Sequence, residues 1–160
     1  MQIDILKILE KDSRLTPAEI GVMLGLSKEE VEAELERLRE KNILLGCHTL
    51  VNWEKTEREF VTAQIEVKVT PQRDFGFDQI AQRIAQFPEV QSVFLYSGDF
   101  DLSVIVEGET IKEIASFVSD KLAVMDSVES CKTHFILKKY KQNGFLFEGN
   151  QADERPAILL

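Results

Sequence analysis

Apolar positions change their period near residue 60, and the change separates two kinds of structure. Before it, Ile3, Leu6, Ile8 and Leu9 line one side of a short helix that ends near Lys11 to Ser13. Thr16-Pro17-Ala18-Glu19 has the form of a capping box with proline at the first helical position. It predicts a second helix through Ile20 and Leu24, closed by Gly25, a residue that takes the left-handed conformation at little cost. Ser27-Lys28-Glu29-Glu30 repeats the box, and Val31, Leu35 and Leu38 come next on one face, so a third helix runs to about Asn42. Two capped helices joined by a glycine turn, behind an amphipathic first helix, make a helix-turn-helix. Ile43 to Asn52, with Gly46 at a turn, is expected to add a small β wing and an exit strand. This assigns a winged helix-turn-helix domain to 1–46 and a linker strand to 47–58, with Trp53 plugging the junction between the head and the second domain.

From Phe60 the period is two. Val61, Ala63, Ile65, Val67 and Val69 alternate with Thr62, Gln64, Glu66 and Lys68, the pattern of a half-buried strand. Asp74 is placed to cap a helix carrying Phe77, Ile80, Ala81 and Ile84, which ends at Phe87-Pro88. Val90 to Ser97 and Asp101 to Val106 read as a hairpin around Gly98-Asp99. Ile111, Ile114, Ala115, Val118 and Leu122 mark a second amphipathic helix. A last strand is expected over Val128 to Lys139, with Thr133, Phe135 and Leu137 on one face. The β-α-β-β-α-β order is that of a ferredoxin-like α+β domain, assigned to 59–142. Its helices cover one face of the sheet and leave an open apolar face for another subunit. Residues 143–160, with Phe145-Leu146-Phe147 and the terminal Ala157-Ile158-Leu159-Leu160, read as a tail docked by its aromatics.

Composition narrows the class. The chain has 160 residues, 44% hydrophobic and 29% charged, as in an ordinary soluble protein. No run approaches the roughly 18 apolar residues of a membrane span, and Asp4 stands where a signal peptide carries basic residues, so a cytoplasmic protein with no membrane partner is expected. Cys47 and Cys131 have no metal-ligand spacing around them. They predict two packed thiols, with no disulfide framework, metal site or cofactor. A formal charge of -9 argues against a protein that coats nucleic acid indiscriminately.

The order of elements and several strings together resemble the Lrp/AsnC (feast/famine) family of bacterial and archaeal regulators. The strings are Ile5-Leu6-Lys7-Ile8-Leu9 to Asp12-Ser13-Arg14, Leu24-Gly25-Leu26-Ser27, Leu38 to Gly46, Tyr96-Ser97-Gly98-Asp99-Phe100-Asp101, and Thr133 to Tyr140. The resemblance implies a head that binds double-stranded DNA and a ferredoxin-like effector domain that forms homodimers through its sheet and higher oligomers such as octamers. It also implies that an amino acid or related metabolite binds near Ser97, Gly98, Asp99 and Asp101. Glycine admits backbone amides to a carboxylate, and the two aspartates can receive an α-ammonium group. The plainer alternative is a hairpin turn, filled by residues that tolerate positive φ.

The third helix complicates the DNA reading. Ser27 to Lys41 holds 4 basic and 6 acidic residues, the wrong balance for a surface that meets phosphates. Arg14, Lys28, Arg37 and Arg39 are the candidate cations, and Glu29 and Glu32 the candidate readers of cytosine amino groups. Weak binding per head is expected, multiplied by several heads per oligomer. Two other functions stay open. One is a metabolite-sensing scaffold whose acidic head binds protein. The other is an enzyme like the siroheme decarboxylases, which share this fold and use histidines. With only His48 and His134 present, and no nucleophile-base or carboxylate set, no catalytic residue is assigned.

Overall fold

The computed structural model describes residues 1–71 and 76–147. The chain divides into two compact units, Met1–Val51 and the part beginning at Asn52. The first contains α1 (Gln2–Lys11), α2 (Pro17–Leu24) and α3 (Lys28–Glu40). Both capping boxes form: the Glu19 and Glu30 amides donate to the Thr16 and Ser27 hydroxyls at 3.3 and 3.2 Å, and the two glutamates accept from the cap amides at 2.7 and 2.8 Å. Gly25 closes α2 at φ 68°. A second glycine shapes the turn, because the Leu26 amide donates to Gly21 O at 2.9 Å and a Cβ on Gly21 would lie 2.7 Å from Leu26 O. Ile5, Ile20, Val31 and Leu35 form the buried core of the three helices.

The expected wing is absent: among the described residues no strand precedes Val61. An extended segment becomes a strand only beside a partner, and Ile43 to Asn52 finds none within the head. Cys47 lies in this segment and is exposed, contrary to the expectation of a packed thiol. Trp53 belongs to the second unit, where it packs against Phe60 and beneath the Arg58 guanidinium.

The second unit is built on β1 (Val61–Val69), β2 (Val90–Leu95), β3 (Leu102–Gly108) and β4 (Val128–Phe135), with α4 (Asp78–Ala85) and α5 (Ile111–Phe117) between them. The sheet is antiparallel in the order β2-β3-β1-β4, which is the ferredoxin-like arrangement. Ala63, Ile65, Val67 and Val69 meet Leu102, Val104 and Val106 on the helix side, beneath Ile84, Ile114, Phe117 and Leu122. Cys131 packs on the edge of this core, and burial pushes its thiol pKa up.

Several local expectations change. Asp74, read as a helix cap, lies outside the described residues, as does the tail from Glu148 to Leu160. The second long helix becomes π-helical over Val118–Leu122. β4 stops at Phe135, beyond which no strand among the described residues pairs with it, and Leu137 is 95% exposed. Phe145-Leu146 is no tail: it pairs with Lys141-Gln142 around Asn143 and Gly144, both at positive φ, and Phe147 is buried. The open sheet face is mixed rather than apolar throughout, with Ile105 and the exposed Phe94 beside polar neighbours. It carries Thr62, Gln64, Glu66, Ser103, Lys132 and His134, with Gln64 Nε2 donating to Ser103 Oγ at 3.1 Å and His134 Nε2 lying 3.3 Å from Glu66 Oε1.

Gly21→Ala should lower head stability by about 1–3 kcal/mol, the scale of overpacking, read as earlier loss of helical circular dichroism on heating. Gly46→Ala should leave the melt unchanged, since its Cβ would meet nothing within 4 Å.

Candidate DNA-binding face and effector loop

The amphipathic pattern of α3 decides which residues it presents. Val31, Glu34, Leu35 and Leu38 are buried, which leaves Glu29, Glu32, Ala33, Glu36 and Glu40 exposed, together with Lys28, Arg37 and Arg39. Each of the candidate cations is held by a carboxylate. Lys28 Nζ lies 3.4 Å from Glu32 Oε1, and Arg39 Nη1 donates to Glu36 Oε2 at 3.2 Å. Arg37 makes two bonds to Glu34, at 3.0 and 2.7 Å. Arg14 grips Asp12 at 2.8 and 2.6 Å. Glu34 is only 6% exposed, and its hydrogen bond to Arg37 holds its carboxyl below the usual range and raises the guanidinium pKa. The more exposed pairs, Lys28–Glu32, Arg39–Glu36 and Arg14–Asp12, are weak and screened by salt, so a phosphate can compete for those cations. It meets them partly neutralised and flanked by acids, whereas Arg37 is held more firmly by a buried carboxylate.

The effector candidates sit on the loop joining β2 to β3. Ser97, Gly98 and Asp99 are exposed, and Tyr96 stacks near Phe100 with ring centroids 5.1 Å apart. Asp101 is different. Its Oδ2 accepts from the Val69 amide at 2.9 Å, its own amide donates to Val67 O at 3.1 Å, and its carbonyl accepts from the Tyr96 amide at 2.8 Å. The side chain therefore ties the loop to the end of β1, where the β1 and β4 register shifts between Lys68 and Val69. The sequence presents Asp99 and Asp101 as equivalent because register and bulges arise only from pairing. A turn that demands positive φ does not account for the loop either, since neither Gly98 nor Asp99 has positive φ, and a Cβ on Gly98 would meet nothing within 4 Å. Among the described residues, no backbone or crowding demand calls for glycine there.

Comparison with known proteins assigns the two units. The AsnC-type helix-turn-helix domain matches residues 3–39, and the Lrp/AsnC ligand binding domain matches residues 62–146. The chain belongs to the Lrp/AsnC family. It is 44% identical to the uncharacterized HTH-type transcriptional regulator YugG of Bacillus subtilis, over 98% of this chain and 95% of that one. LrpA of Pyrococcus horikoshii, an HTH-type transcriptional regulator, is 30% identical over 86% of this chain and 94% of its own. A transcriptional regulator of Neisseria meningitidis, solved as a complex with L-Met, superposes with a TM-score of 0.68 at 26% identity, covering 88% of this chain and 90% of that one. Escherichia coli AsnC shares the fold, with a TM-score of 0.65 at 18% identity over 88% of this chain and 93% of that one.

This Lrp/AsnC protein is therefore a DNA-binding transcriptional regulator with a ligand-binding domain, and its domains and relatives are those of a regulator rather than an enzyme. The siroheme-decarboxylase alternative falls with them. His134 sits on the open sheet face beside Glu66, and His48 is exposed in the irregular segment after α3. No helix among the described residues is long and apolar enough to cross a membrane.

The amide and hydroxyl of Thr16 and Ser27 hold Glu19 and Glu30 below the ordinary glutamate value of 4.5, as Arg37 does for Glu34. Depressed carboxylate pKa values contribute stability that is present above the ordinary value and lost as pH falls through the folded ones. Head helicity should therefore decline as pH drops below 4.5, and Glu30→Gln should flatten that decline in circular dichroism. Asp101→Ala strands the amide of Val69, a residue only 3% exposed, and should cost about 1–3 kcal/mol by chemical denaturation. Asp99→Ala should cost nothing measurable.

Proposed function

We propose that this protein acts in the cytoplasm as an amino-acid-responsive regulator whose heads bind double-stranded DNA weakly one at a time and usefully only in an oligomer. The observation that carries the reading is the joining of a capped helix-turn-helix to a domain whose relative of known structure holds L-Met. The amino acid is assigned to the Ser97–Asp101 loop, where Gly98 leaves open space and Asp99 is the exposed carboxylate that receives an α-ammonium group. Asp101 supports the loop from behind, through Val69. Homodimers form through the open sheet face, where Phe94 and Ile105 supply apolar contact and Gln64, Glu66, Lys132 and His134 polar contact, and dimers assemble further, up to octamers.

On the head, Arg14, Lys28, Arg37 and Arg39 meet phosphates after exchanging their carboxylate partners, and Glu29 and Glu32 accept from base amino groups. Ligand acts by favouring one assembly or head arrangement over another, which is the only way an effector can move DNA affinity.

Fluorescence anisotropy on the protein's own promoter region should show binding at low salt that falls steeply as salt rises. Arg37→Ala should weaken it, and Glu36→Gln should strengthen it by releasing Arg39 and relieving phosphate repulsion. A thermal-shift screen of the common amino acids with light scattering should give at least one stabilising effector, abolished by Asp99→Ala. Absence of any DNA binding at low salt, with or without amino acids, would overturn the head assignment. A full set of amino acids without a shift would overturn the loop assignment.

A further inference from the structure

The β2–β3 hairpin has a second end. It lies about 17 Å along the strands from the Ser97–Asp101 loop, where Val90 pairs with Val106 and the Glu107 amide donates to Glu89 O at 3.1 Å. A cavity of about 470 Å³ opens there between the strand ends and α5, within the ordinary size of small-molecule pockets. Its charged lining is Glu89, Glu107, Glu113 and Asp120 against Lys112 and Lys121. Val106, Ile114 and Phe117 form its apolar wall.

Two features give the cavity chemical direction. Glu89 Oε1 pairs with Lys121 Nζ, whereas Glu89 Oε2 is buried without a hydrogen-bond partner among the described residues. A buried acceptor left without a donor is costly and uncommon. The second feature is the π-helical turn Val118–Leu122, in which the Ala123 amide donates to Val118 O at 2.8 Å. Such turns are rare and gather at functional sites. This one carries Asp120 and Lys121, both of which line the cavity. Lys121 also rests near the rings of Phe87 and Phe117, at 5.4 and 5.8 Å from their centroids. Its side chain is 38% exposed and that of Glu89 34%.

We propose that this cavity is a second ligand site, separate from the effector loop, that takes a small primary alkylammonium compound. The ammonium donates to Glu89 Oε2, and the methylene stem lies on Val106, Ile114 and Phe117. An unpartnered acceptor selects a donor, the excess of carboxylates rejects an anion, and the apolar wall rejects a fully hydrated cation. No cluster among the described residues has the donor set for a metal ion.

Titration calorimetry of the full-length protein, with n-pentylamine and 1,5-diaminopentane at physiological salt, tests the site. Saturable binding at one molecule per chain is expected, with none for n-pentanol or pentanoate. Glu89→Gln should weaken it about tenfold or more, the loss of one charge-assisted bond. Ser116→Trp, a substitution at an exposed residue of the cavity lining, should abolish it whether or not the Glu89 variant folds. Asp99→Ala should leave it intact. Absence of saturable binding by both amines would overturn the proposal. So would undiminished binding in Ser116→Trp, or loss of binding in Asp99→Ala, which would place the amine at the effector loop instead.

Discussion

Strand β1 is paired along both edges, and the organisation of the C-terminal unit depends on that. Val61 to Val67 pair with β3, and Ala63 to Val69 pair with β4. A slip of one residue would turn Ala63, Ile65, Val67 and Val69 away from the helices and expose every one of them. Asp101 guards this register at the strand's far end by accepting from the Val69 amide. The same bond fixes where the β2–β3 loop leaves the sheet. The effector candidates are thus positioned by a hydrogen bond that belongs to the core of the fold, and the two aspartates of the loop divide the work of support and exposure between them.

The head shows a comparable double use of acids. Glu19 and Glu30 complete capping boxes, and Glu34 anchors Arg37 from a buried position. These carboxylates are accounted for by helix stability. Glu29, Glu32 and Glu36 remain on the surface that a recognition helix turns towards bases. The arrangement penalises general phosphate attraction and keeps amino-group acceptors available. It is the charge balance behind the proposal of weak binding per head and avidity through several heads.

The ligand-binding unit has chemistry at both ends of one hairpin. At one end Gly98 is required by neither φ nor crowding among the described residues. At the other, a carboxylate oxygen lacks a donor among the described residues, beside a π-helical turn. The two ends share strands that pair continuously, apart from a register shift between Val90 and Ser92. The proposed ligand positions at the two ends would thus be joined by one pair of strands.

Much of the fold is legible in the residues because it depends on neighbours in the chain. Capping boxes at Thr16 and Ser27, the αL closure at Gly25 and the alternation of Val61 to Val69 are local, and local rules read them correctly. The Asn143-Gly144 turn carries a local signal too, since both residues accept positive φ, yet its two short strands are masked by the polar, aromatic character of a tail. Gly21 stands out as a glycine inside a helix, but the contact with Leu26 O that explains it arises only when the turn folds back. The absent wing, the early end of β4, the separate duties of Asp99 and Asp101 and the unpartnered oxygen of Glu89 have no local signal at all. Each depends on which strand, helix or side chain arrives from elsewhere in the chain, and only the tertiary structure decides whether a partner is there.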